Sequence, residues 1–405
     1  MRIAVVASSY PRFPGDGTAP FVKSIAEHMA RLGHDVELVA PYDPDVQPME
    51  MGSIRLHRFR YVWPKRLHIM GHARSLSADV QLRPLAFALL PLFLLGSFIT
   101  LMRVTGRQKS HGIHAHWVLP NGLVGAWVAS LRRIPLVISL HGSDIFVAQR
   151  NRIFRWVTRS IFRRAALVTA CSKDLKRGAV DIGCDPAKIH VIAWGADPDR
   201  FHPGIAPLDR LAFGLTGNEA ILVTLGRMVP KKGFDILVRA LALLVPSYPH
   251  VHLLIGGDGV ERDSLQRLAK ELEVSDHLHM PGRILWDQVP HFLAMGDVFV
   301  LPSVRDEAGN LDGLPTVLPE AMACGKPVVA SRIAGIPLAI EDGCTGILVP
   351  PGDVKALAGA ISSLLADPMQ RSALGVAARI RVERELNWLQ VARFFASLFE
   401  RVLRE

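Results

Sequence analysis

Short apolar runs alternate with amphipathic helical patterns along the whole chain. The apolar runs that predict strands are residues 2–7, 35–40, 113–116, 135–140, 166–170, 189–192, 220–225, 250–255, 297–301, 327–330 and 346–349. Helical patterns such as 21–31 and 123–132 lie between them. Strand and helix in alternation predict an α/β chain with parallel sheets covered by helices on both faces. Loops that bind ligands are then expected at the carboxyl ends of the strands.

Length and charge indicate two domains. A chain of 405 residues with 49% hydrophobic residues can bury more than one core. Residues 1–200 carry 27 Lys and Arg against 14 Asp and Glu, whereas the remainder carries 20 against 23. The stretch 191–203, rich in Gly and Pro, separates these halves. The basic half could meet nucleic acid, anionic lipid or a phosphorylated substrate. Because no nucleic-acid motif is present and only 7% of residues are aromatic, lipid or phosphate is favoured over nucleic acid.

Two acids, Asp312 and Glu320, flank a loop that leads into an apolar helical stretch. Pro315 and Pro319 lack an N–H group, so they fit best at or before the first helical turn. We therefore expect a helix that begins near Thr316, with its free N–H groups on the side of the two carboxylates. The alternative is an ordinary helix with an acid near its cap.

A second loop, 225–233, follows the predicted strand 220–225 and carries Arg227, Lys231 and Lys232 before Gly233 opens a helix. A strand, a glycine turn, cations and a helix N-terminus are the parts from which phosphate sites are made. The loop therefore predicts a site for a phosphorylated ligand.

Together these stretches resemble the nucleotide-sugar half of the retaining glycosyltransferase family 4. Gly226, Arg227, Lys232 and Gly233 match the Gly-Arg…Lys-Gly signature, while Asp312 and Glu320 match two acids separated by seven residues. The first acid is more often Glu in the family, and Pro319 replaces an aliphatic residue. The resemblance implies the GT-B fold, with two Rossmann-like parallel-sheet domains facing across a cleft. It also implies an acceptor domain over 1–196, a nucleotide-sugar domain over 197–385, and a last helix, 386–405, that crosses back to the first domain.

The resemblance also implies site residues and a donor, a nucleoside diphosphate sugar, with no bound cofactor. Arg227 and Lys232 neutralise the departing diphosphate, Asp312 contacts the donor sugar or its acceptor, and Glu320 accepts hydrogen bonds from ribose. The implied catalytic residues are His141, Arg227, Lys232 and Asp312. The implied donor contacts are Gly15, Gly17, Gly226, Arg283, Leu314, Pro315 and Glu320.

Histidines cluster near the ends of two predicted strands. His141 and Asp144 follow the strand 135–140, so they project from its carboxyl end; a packing histidine and a helix-capping acid are the alternative reading. A metal site at His111, His114 and His116 is rejected, because no carboxylate or cysteine stands close in sequence and GT-B enzymes as a group do not usually need a bound metal. His116 and Trp117 are expected to end a strand and to line the acceptor side.

Residues 84–102 are uncharged over a length that suits a membrane span. A span would place the first strand on the other side of the bilayer from its sheet. A helix within the first domain that dips into one leaflet is therefore favoured. Four arginines at steps of three and four, Arg152, Arg155, Arg159 and Arg163, form a stripe that either faces solvent or meets anionic headgroups.

These features predict a retaining glycosyltransferase that moves a sugar to a hydroxyl of a lipid-linked or other glycan acceptor in surface polysaccharide or glycolipid biosynthesis. Its basic N-terminal domain would contact the inner membrane, with the protein peripheral on the cytoplasmic face. Four scattered cysteines without metal-ligand spacing favour a reducing cytosol and no structural zinc. The alternatives are a nucleotide-sugar epimerase on the same fold and a non-catalytic membrane-associated scaffold.

Overall fold

The computed structural model describes residues 1–49, 52–72, 76–78, 81–82 and 84–404. The chain forms two compact units. Unit 1 comprises Met1–Ile192 together with Trp388–Glu405, and unit 2 comprises Ala193–Asn387. The four cysteines are free thiols, and three of them are buried.

Unit 1 is built on a seven-stranded parallel sheet. Its strands are Arg2–Val6 (β1), Asp35–Pro41 (β2), Arg55–Phe59 (β3), Gly112–His116 (β6), Leu136–Leu140 (β7), Leu167–Ala170 (β8) and Ile189–Val191 (β9), and a separate antiparallel pair is formed by Leu76–Ala78 (β4) and Gln81–Leu82 (β5). The strand order is β3-β2-β1-β6-β7-β8-β9. The order therefore reverses direction between β1 and β6.

Helices cover the sheet of unit 1, which buries near-continuous Val, Ile, Leu and Ala runs on both faces. They are Pro20–Arg31 (α1), Pro84–Arg107 (α2), Leu123–Arg132 (α3), Ser143–Arg150 (α4), Arg152–Arg164 (α5) and Lys173–Ile182 (α6). The predicted helices over 21–31 and 123–132 are confirmed.

Unit 2 repeats the same winding on a six-stranded parallel sheet. Its strands are Ala220–Leu225 (β10), Val251–Gly256 (β11), Leu278–Gly282 (β12), Val298–Leu301 (β13), Val328–Ser331 (β14) and Ile347–Val349 (β15), in the order β12-β11-β10-β13-β14-β15. Its helices are Phe234–Leu244 (α7), Arg262–Glu271 (α8), Val289–Ala294 (α9), Val317–Ala323 (α10), Ile336–Ala339 (α11), Val354–Ala366 (α12) and Pro368–Arg384 (α13). Here the order reverses between β10 and β13.

The last helix, Trp388–Arg404 (α14), belongs to unit 1. It packs on α1 and buries Phe395 and Phe399. The ring of Phe395 lies 4.6 Å from that of His114 in β6. This helix therefore adds to the core of unit 1, although unit 2 separates it from the rest of that unit in the sequence.

All the predicted strands form, with small shifts at their ends, but four further strands were missed: the short pair β4 and β5, and the sheet strands β3 and β12. Both β3 and β12 are outer strands of their sheets. Their sequences, Arg-Leu-His-Arg-Phe and Leu-His-Met-Pro-Gly, are polar or contain Pro and Gly. An edge strand is paired on one side only and need not be apolar, so it lacks the hydrophobic signal of a central strand.

The apolar segment predicted as a helix over 84–102 is α2, which continues to Arg107. It is long and apolar enough to cross a membrane by length and composition, with a mean hydropathy of 2.3. Its buried residues, among them Leu89, Phe93 and Leu101, recur at helical spacing, and this face packs on β1, β2, β3 and α3 of unit 1. The opposite face carries exposed apolar side chains.

Candidate functional site

The strand order of unit 2 locates a candidate site at the carboxyl ends of β10 and β13. These strands are neighbours, and the chain leaves them in opposite directions along the sheet. Two loops that diverge from such a point leave a crevice between them, where open α/β sheets bind their ligands. The loops are 226–233 after β10 and 302–316 after β13.

The loop after β10 is fixed by its backbone. The amide of Gly226 donates to the Gly256 carbonyl at 2.9 Å, and the amide of Met228 donates to the Asp258 carbonyl at 2.9 Å. A short 3₁₀ turn, Pro230–Lys232, then leads to Gly233, whose φ is 64°. A Cβ at Gly233 would overlap the Pro302 carbonyl oxygen, so only glycine allows helix α7 to begin so close to the end of β13.

Two lysines of this turn share one carboxylate of the facing loop. Lys231 Nζ lies 3.1 Å from Asp312 Oδ1, and Lys232 Nζ lies 2.5 Å from Asp312 Oδ2. The lysine side chains are only 9% and 11% exposed. A Cβ at Gly226 would lie 3.3 Å from Lys232 Cε, so the bare glycine leaves room for the end of that side chain. Gly226, Lys232 and Asp312, predicted as site residues from separate stretches, thus lie together.

The charges in this cluster do not balance, since two ammonium groups face one carboxylate. Burial would raise the pKa of Asp312, but the charges of Lys232 and Lys231 outweigh burial and hold that pKa well below its usual range. Asp312 is therefore ionised at neutral pH. The excess positive charge is the property that an anionic ligand requires.

Helix α10 presents the second acid. It begins at Val317 after Thr316, with Pro315 before it and Pro319 in its first turn, as predicted. Glu320 is only 4% exposed, and no residue in the described part of the chain gives its carboxyl group a hydrogen bond or an ion pair. Burial raises the pKa of Glu320 to about 8, although the charge of Arg200 acts in the opposite direction. Glu320 is thus a buried carboxyl group in the first turns of α10.

The other predicted residues of unit 2 are less closely grouped. Arg227 is exposed on the same loop as Lys232. Leu314 and Pro315 are buried in the loop that leads to α10. Arg283 is exposed just beyond β12, and β11 separates that strand from β10.

Unit 1 reverses its strand order between β1 and β6, and aromatic side chains gather near that point. The His141 ring stacks on Phe21 with centroids 4.7 Å apart, and its Nε2 lies 3.2 Å from His116 Nδ1. Trp117, which follows β6, lies 4.5 Å from the His141 ring and has a φ of 66°. A bulky residue at positive φ is strained, and such strain is concentrated at functional sites.

Burial sets the ionisation of this histidine cluster. It lowers the pKa of His141 to about 3, helped by the charge of His114, and it also holds the pKa of His116 well below its usual range. His141 is therefore neutral at physiological pH.

Asp144 has a local structural role. Its carboxylate accepts hydrogen bonds from the backbone amides of Val118, Gly142, Ile145 and His141 at 2.9, 3.0, 3.1 and 3.3 Å. It thus ties the loop after β6 to the start of α4. Asp144 lies in the first turn of α4, whose N-cap residue is Gly142.

The first loop of unit 1 is held by an internal ion pair. Arg12 Nε lies 2.7 Å from Asp16 Oδ2, and Thr18 Oγ1 donates to Asp16 Oδ1 at 2.7 Å. Gly15 has a φ of 79° and is half-buried, whereas Gly17 is exposed. The ion pair fixes the loop that carries both predicted glycines.

No individual role was predicted for Lys231, although it lies in the predicted phosphate loop. The sequence carries no signal that would have singled it out, because the acid that Lys231 contacts lies on a separate loop. Among the described residues, no group of three or more His, Cys, Asp or Glu could hold a metal ion.

Two family models match the chain, one in each unit. The model for the glycosyl transferase 4-like domain matches residues 16–195, and the model for glycosyl transferases group 1 matches residues 208–381. Over 288 residues the chain is 37% identical to a GDP-mannose-dependent alpha-(1-6)-phosphatidylinositol monomannoside mannosyltransferase from Mycolicibacterium smegmatis. That match covers 68% of this chain and 74% of the relative.

Two solved structures share the fold along the whole chain. Sucrose-phosphate synthase from Thermosynechococcus elongatus superposes with a TM-score of 0.76 at 23% identity, covering 100% of this chain and 99% of that chain. HepE from Anabaena, solved in complex with UDP-glucose, superposes with a TM-score of 0.72 at 21% identity, covering 99% of this chain and 100% of that one. The chain therefore belongs to glycosyltransferase family 4 and has the GT-B fold.

Proposed function

We propose that this glycosyltransferase moves a sugar from a nucleoside diphosphate sugar to an acceptor hydroxyl, with retention at the anomeric carbon. The observation that carries the proposal is the cationic cluster of Lys231, Lys232 and Asp312 at the strand reversal of unit 2. Unit 2 would bind the donor and unit 1 the acceptor.

In the proposed reaction, the bond between the anomeric carbon and the diphosphate breaks and its electron pair leaves with the phosphate oxygen. The acceptor oxygen bonds to the anomeric carbon on the same face, and the hydroxyl proton passes to the departing diphosphate. Negative charge grows on the diphosphate as the bond breaks, so cations already in place stabilise the transition state more than the ground state. Lys232 and Arg227 would supply that stabilisation.

The other site residues receive roles that fit their surroundings. Asp312 would contact the donor sugar or its acceptor, and the buried Glu320 would accept hydrogen bonds from ribose hydroxyls. We assign donor contacts to Gly226, Leu314 and Pro315, and a contact with the base to Arg283. In unit 1, Gly15 and Gly17 would approach the diphosphate and His141 the sugar.

GDP-mannose is the first donor to test, because the relative from Mycolicibacterium smegmatis is described as GDP-mannose-dependent. That enzyme is also described as acting on a phosphatidylinositol mannoside. By this likeness we propose a lipid-linked glycan acceptor for surface polysaccharide or glycolipid biosynthesis. The protein would then work on the cytoplasmic face of the inner membrane.

An exposed apolar face on unit 1 supports that location. We define it by Leu92 and Leu95 of α2, Trp127 and Leu131 of α3, and Trp156 of α5, which are 42–67% exposed. Arg164 lines the groove between α2 and α3. Residues 80–143 and α5 contain no Asp or Glu, so the charges on this face are all positive. Apolar side chains among arginines suit the interface of an anionic bilayer.

Part of the predicted arginine stripe has another role. Arg155 Nη2 donates to the Asp181 carbonyl at 2.7 Å, and the Arg159 side chain lies against Gly183. These two arginines therefore hold α5 against the C-terminal end of α6. Arg152 and Arg163 are exposed and remain candidates for headgroup contact.

Donor binding and a Lys232→Ala variant test the reaction. A charge-assisted hydrogen bond contributes about 1.5–3 kcal/mol, so the variant should transfer sugar roughly ten- to a hundredfold more slowly. Calorimetry with UDP-glucose, GDP-mannose and ADP-glucose identifies the donor, and a transfer assay follows product. Lys355→Gln, at an exposed position of α12, is the control and should transfer normally. Near-normal transfer by folded Lys232→Ala protein would refute the assignment.

The same experiments separate the two other functions. An epimerase would convert the nucleotide sugar without any acceptor, which analysis of the donor after incubation alone would reveal. A scaffold would bind no nucleotide sugar and would not need Lys232. Transfer that requires both donor and acceptor excludes both.

A further inference from the structure

The carboxylate of Asp312 is held on both sides. Each of its oxygens faces a different ammonium group, Oδ1 that of Lys231 and Oδ2 that of Lys232. One lysine would already neutralise the carboxylate, so the second is not needed to balance its charge. All three side chains are largely shielded from water, where charge interactions are strong.

The two lysines differ in what surrounds them. The end of the Lys232 side chain lies beside Gly226, which has no side chain of its own to occupy that space. The backbone of Lys231 is instead joined to the loop after β13, since the amide of Val304 donates to its carbonyl at 2.9 Å. The end of Lys232 thus lies close to where a Cβ at position 226 would stand, and the backbone of Lys231 is fixed to the loop that carries Asp312.

Given the proposed function, Lys232 must interact with a diphosphate while it is already paired with Asp312. An ion pair with a single lysine would compete with the donor for that ammonium group. We infer that Lys231 is a positioning residue that keeps Asp312 charged, paired and in place, so that Lys232 is released to the diphosphate of the donor. This role rests on the proposed function, in which Lys232 binds that diphosphate.

Lys231 also lowers a repulsion. Asp312 and the diphosphate are both negative, and a carboxylate paired only with Lys232 would face the donor unscreened once that lysine turned away. With Lys231 in place, the carboxylate keeps one cation throughout. The expected consequence of removing that cation is weaker donor binding with little change in the bond-breaking step.

Three variants test this inference: Lys231→Gln, Lys231→Arg and the control Lys355→Gln. We expect Lys231→Gln to raise the donor KM roughly tenfold and to change kcat by less than about threefold. Lys231→Arg keeps the charge and should restore KM to within about threefold of the wild type. Calorimetry with UDP-glucose, GDP-mannose and ADP-glucose measures binding, and circular dichroism checks that each variant is folded.

Acid unfolding supplies a readout that does not depend on the donor. Two lysines hold the pKa of Asp312 low, so this carboxylate stabilises the wild-type fold above its usual pKa and the stabilisation is lost on acidification. Without Lys231 the pKa moves back toward its usual value. The loss of unfolding free energy between pH 5 and pH 3 should therefore be smaller in Lys231→Gln than in the wild type or Lys231→Arg.

The outcomes separate the two proposals. Unchanged donor KM and unchanged acid unfolding in Lys231→Gln would overturn the role of Lys231. Equal damage from Lys231→Gln and Lys231→Arg would overturn it as well, because shape and not charge would then matter. Failure of the wild type to bind any of the three donors would overturn the proposed function, and acid unfolding would still decide whether Lys231 holds Asp312.

Discussion

The buried surroundings of Glu320 disfavour the negative charge that a glutamate usually carries at neutral pH. It is buried in the first turns of α10, and burial raises its pKa to about 8, although the charge of Arg200 acts in the opposite direction. The usual value is 4.5, so between these two pH values the unfolded chain has released a proton that the native protein keeps. The native state binds more protons there, and the free energy of unfolding must fall as pH rises.

This property predicts a stability loss that a single substitution removes. The contribution of Glu320 is fully present below pH 4.5 and is lost as pH rises toward 8, by at most about 1.4 kcal/mol per pH unit. Glu320→Gln should lose less stability than the wild type between pH 5 and pH 8. Urea unfolding at both pH values measures the difference. Glu271→Gln, at an exposed position of α8, should follow the wild type. Equal losses in all three proteins would contradict the burial argument.

At the scale of single residues, the kinds of side chain in the site were predictable from the sequence, but the contacts that each side chain makes were not. The loop with Lys232 and the loop with Asp312 each have a composition that suggests a polar ligand. Their contact depends on β10 and β13 being neighbours in the sheet, which follows from the order in which all the strands assemble. The second ion pair, through Lys231, was not predictable because adjacent side chains usually point in different directions.

Among the elements, α2 and α3 expose apolar side chains that a folded unit would normally cover. Trp127 and Leu131 lie on α3 beside the exposed side of α2, with Arg164 at the groove between them. Contiguous apolar surface that water must hydrate is unfavourable, and its presence indicates that something covers it. Under the proposed function that partner is lipid.

We expect this face to bind vesicles that contain anionic phospholipid. Wild-type protein should sediment with vesicles of phosphatidylglycerol and phosphatidylcholine, less with phosphatidylcholine alone, and less again at high salt. The double substitution Trp127→Ser with Leu131→Ser should reduce binding roughly tenfold or more, since each buried apolar side chain contributes about 1.5–3 kcal/mol. Leu243→Ser removes a comparably exposed leucine from α7 of unit 2 and should change nothing. Binding that survives the double substitution would exclude this face.

Strands were predicted correctly where burial requires an apolar sequence. Central strands such as β7 and β13 are buried along their whole length and read as uninterrupted apolar runs. The outer strands β3 and β12 form because each pairs with a neighbouring strand. Their own composition shows no strand pattern, so the sequence did not predict them. For the same reason, helix bounds were predicted best where a proline or glycine marks an end, as at Pro20 and Gly233.

At the scale of the whole molecule, unit 1 depends on α14, the last helix in the sequence. Helix α14 supplies Phe395 and Phe399 to the unit, and Phe399 fills the space beside Gly112 at the start of β6. Residues 193–387, which precede this helix in the sequence, form unit 2. The two units therefore differ in how they respond to loss of the C-terminus.

Deletion of Trp388–Arg404 should destabilise unit 1 selectively. Exposure of several apolar side chains costs about 1.5–3 kcal/mol for each, a large part of the stability of a typical domain. Hydrogen exchange followed by mass spectrometry should show faster exchange in peptides from β1, β6 and α1. Peptides from β10 and α7 should keep their protection. A uniform loss of protection in both units, or none in either, would contradict this division.

Both units wind their strands in the same way, with the third, second and first strands on one side of the reversal and the later strands on the other. The two sheets therefore share one winding pattern, and the residues that follow the strands at each reversal differ between them. Donor preference could then diverge among descendants of this chain through changes in short loops, while the buried strands stay under selection for packing alone. Replacing loop 226–233 with the corresponding loop of a relative would transfer the donor preference of that relative and leave the fold unchanged.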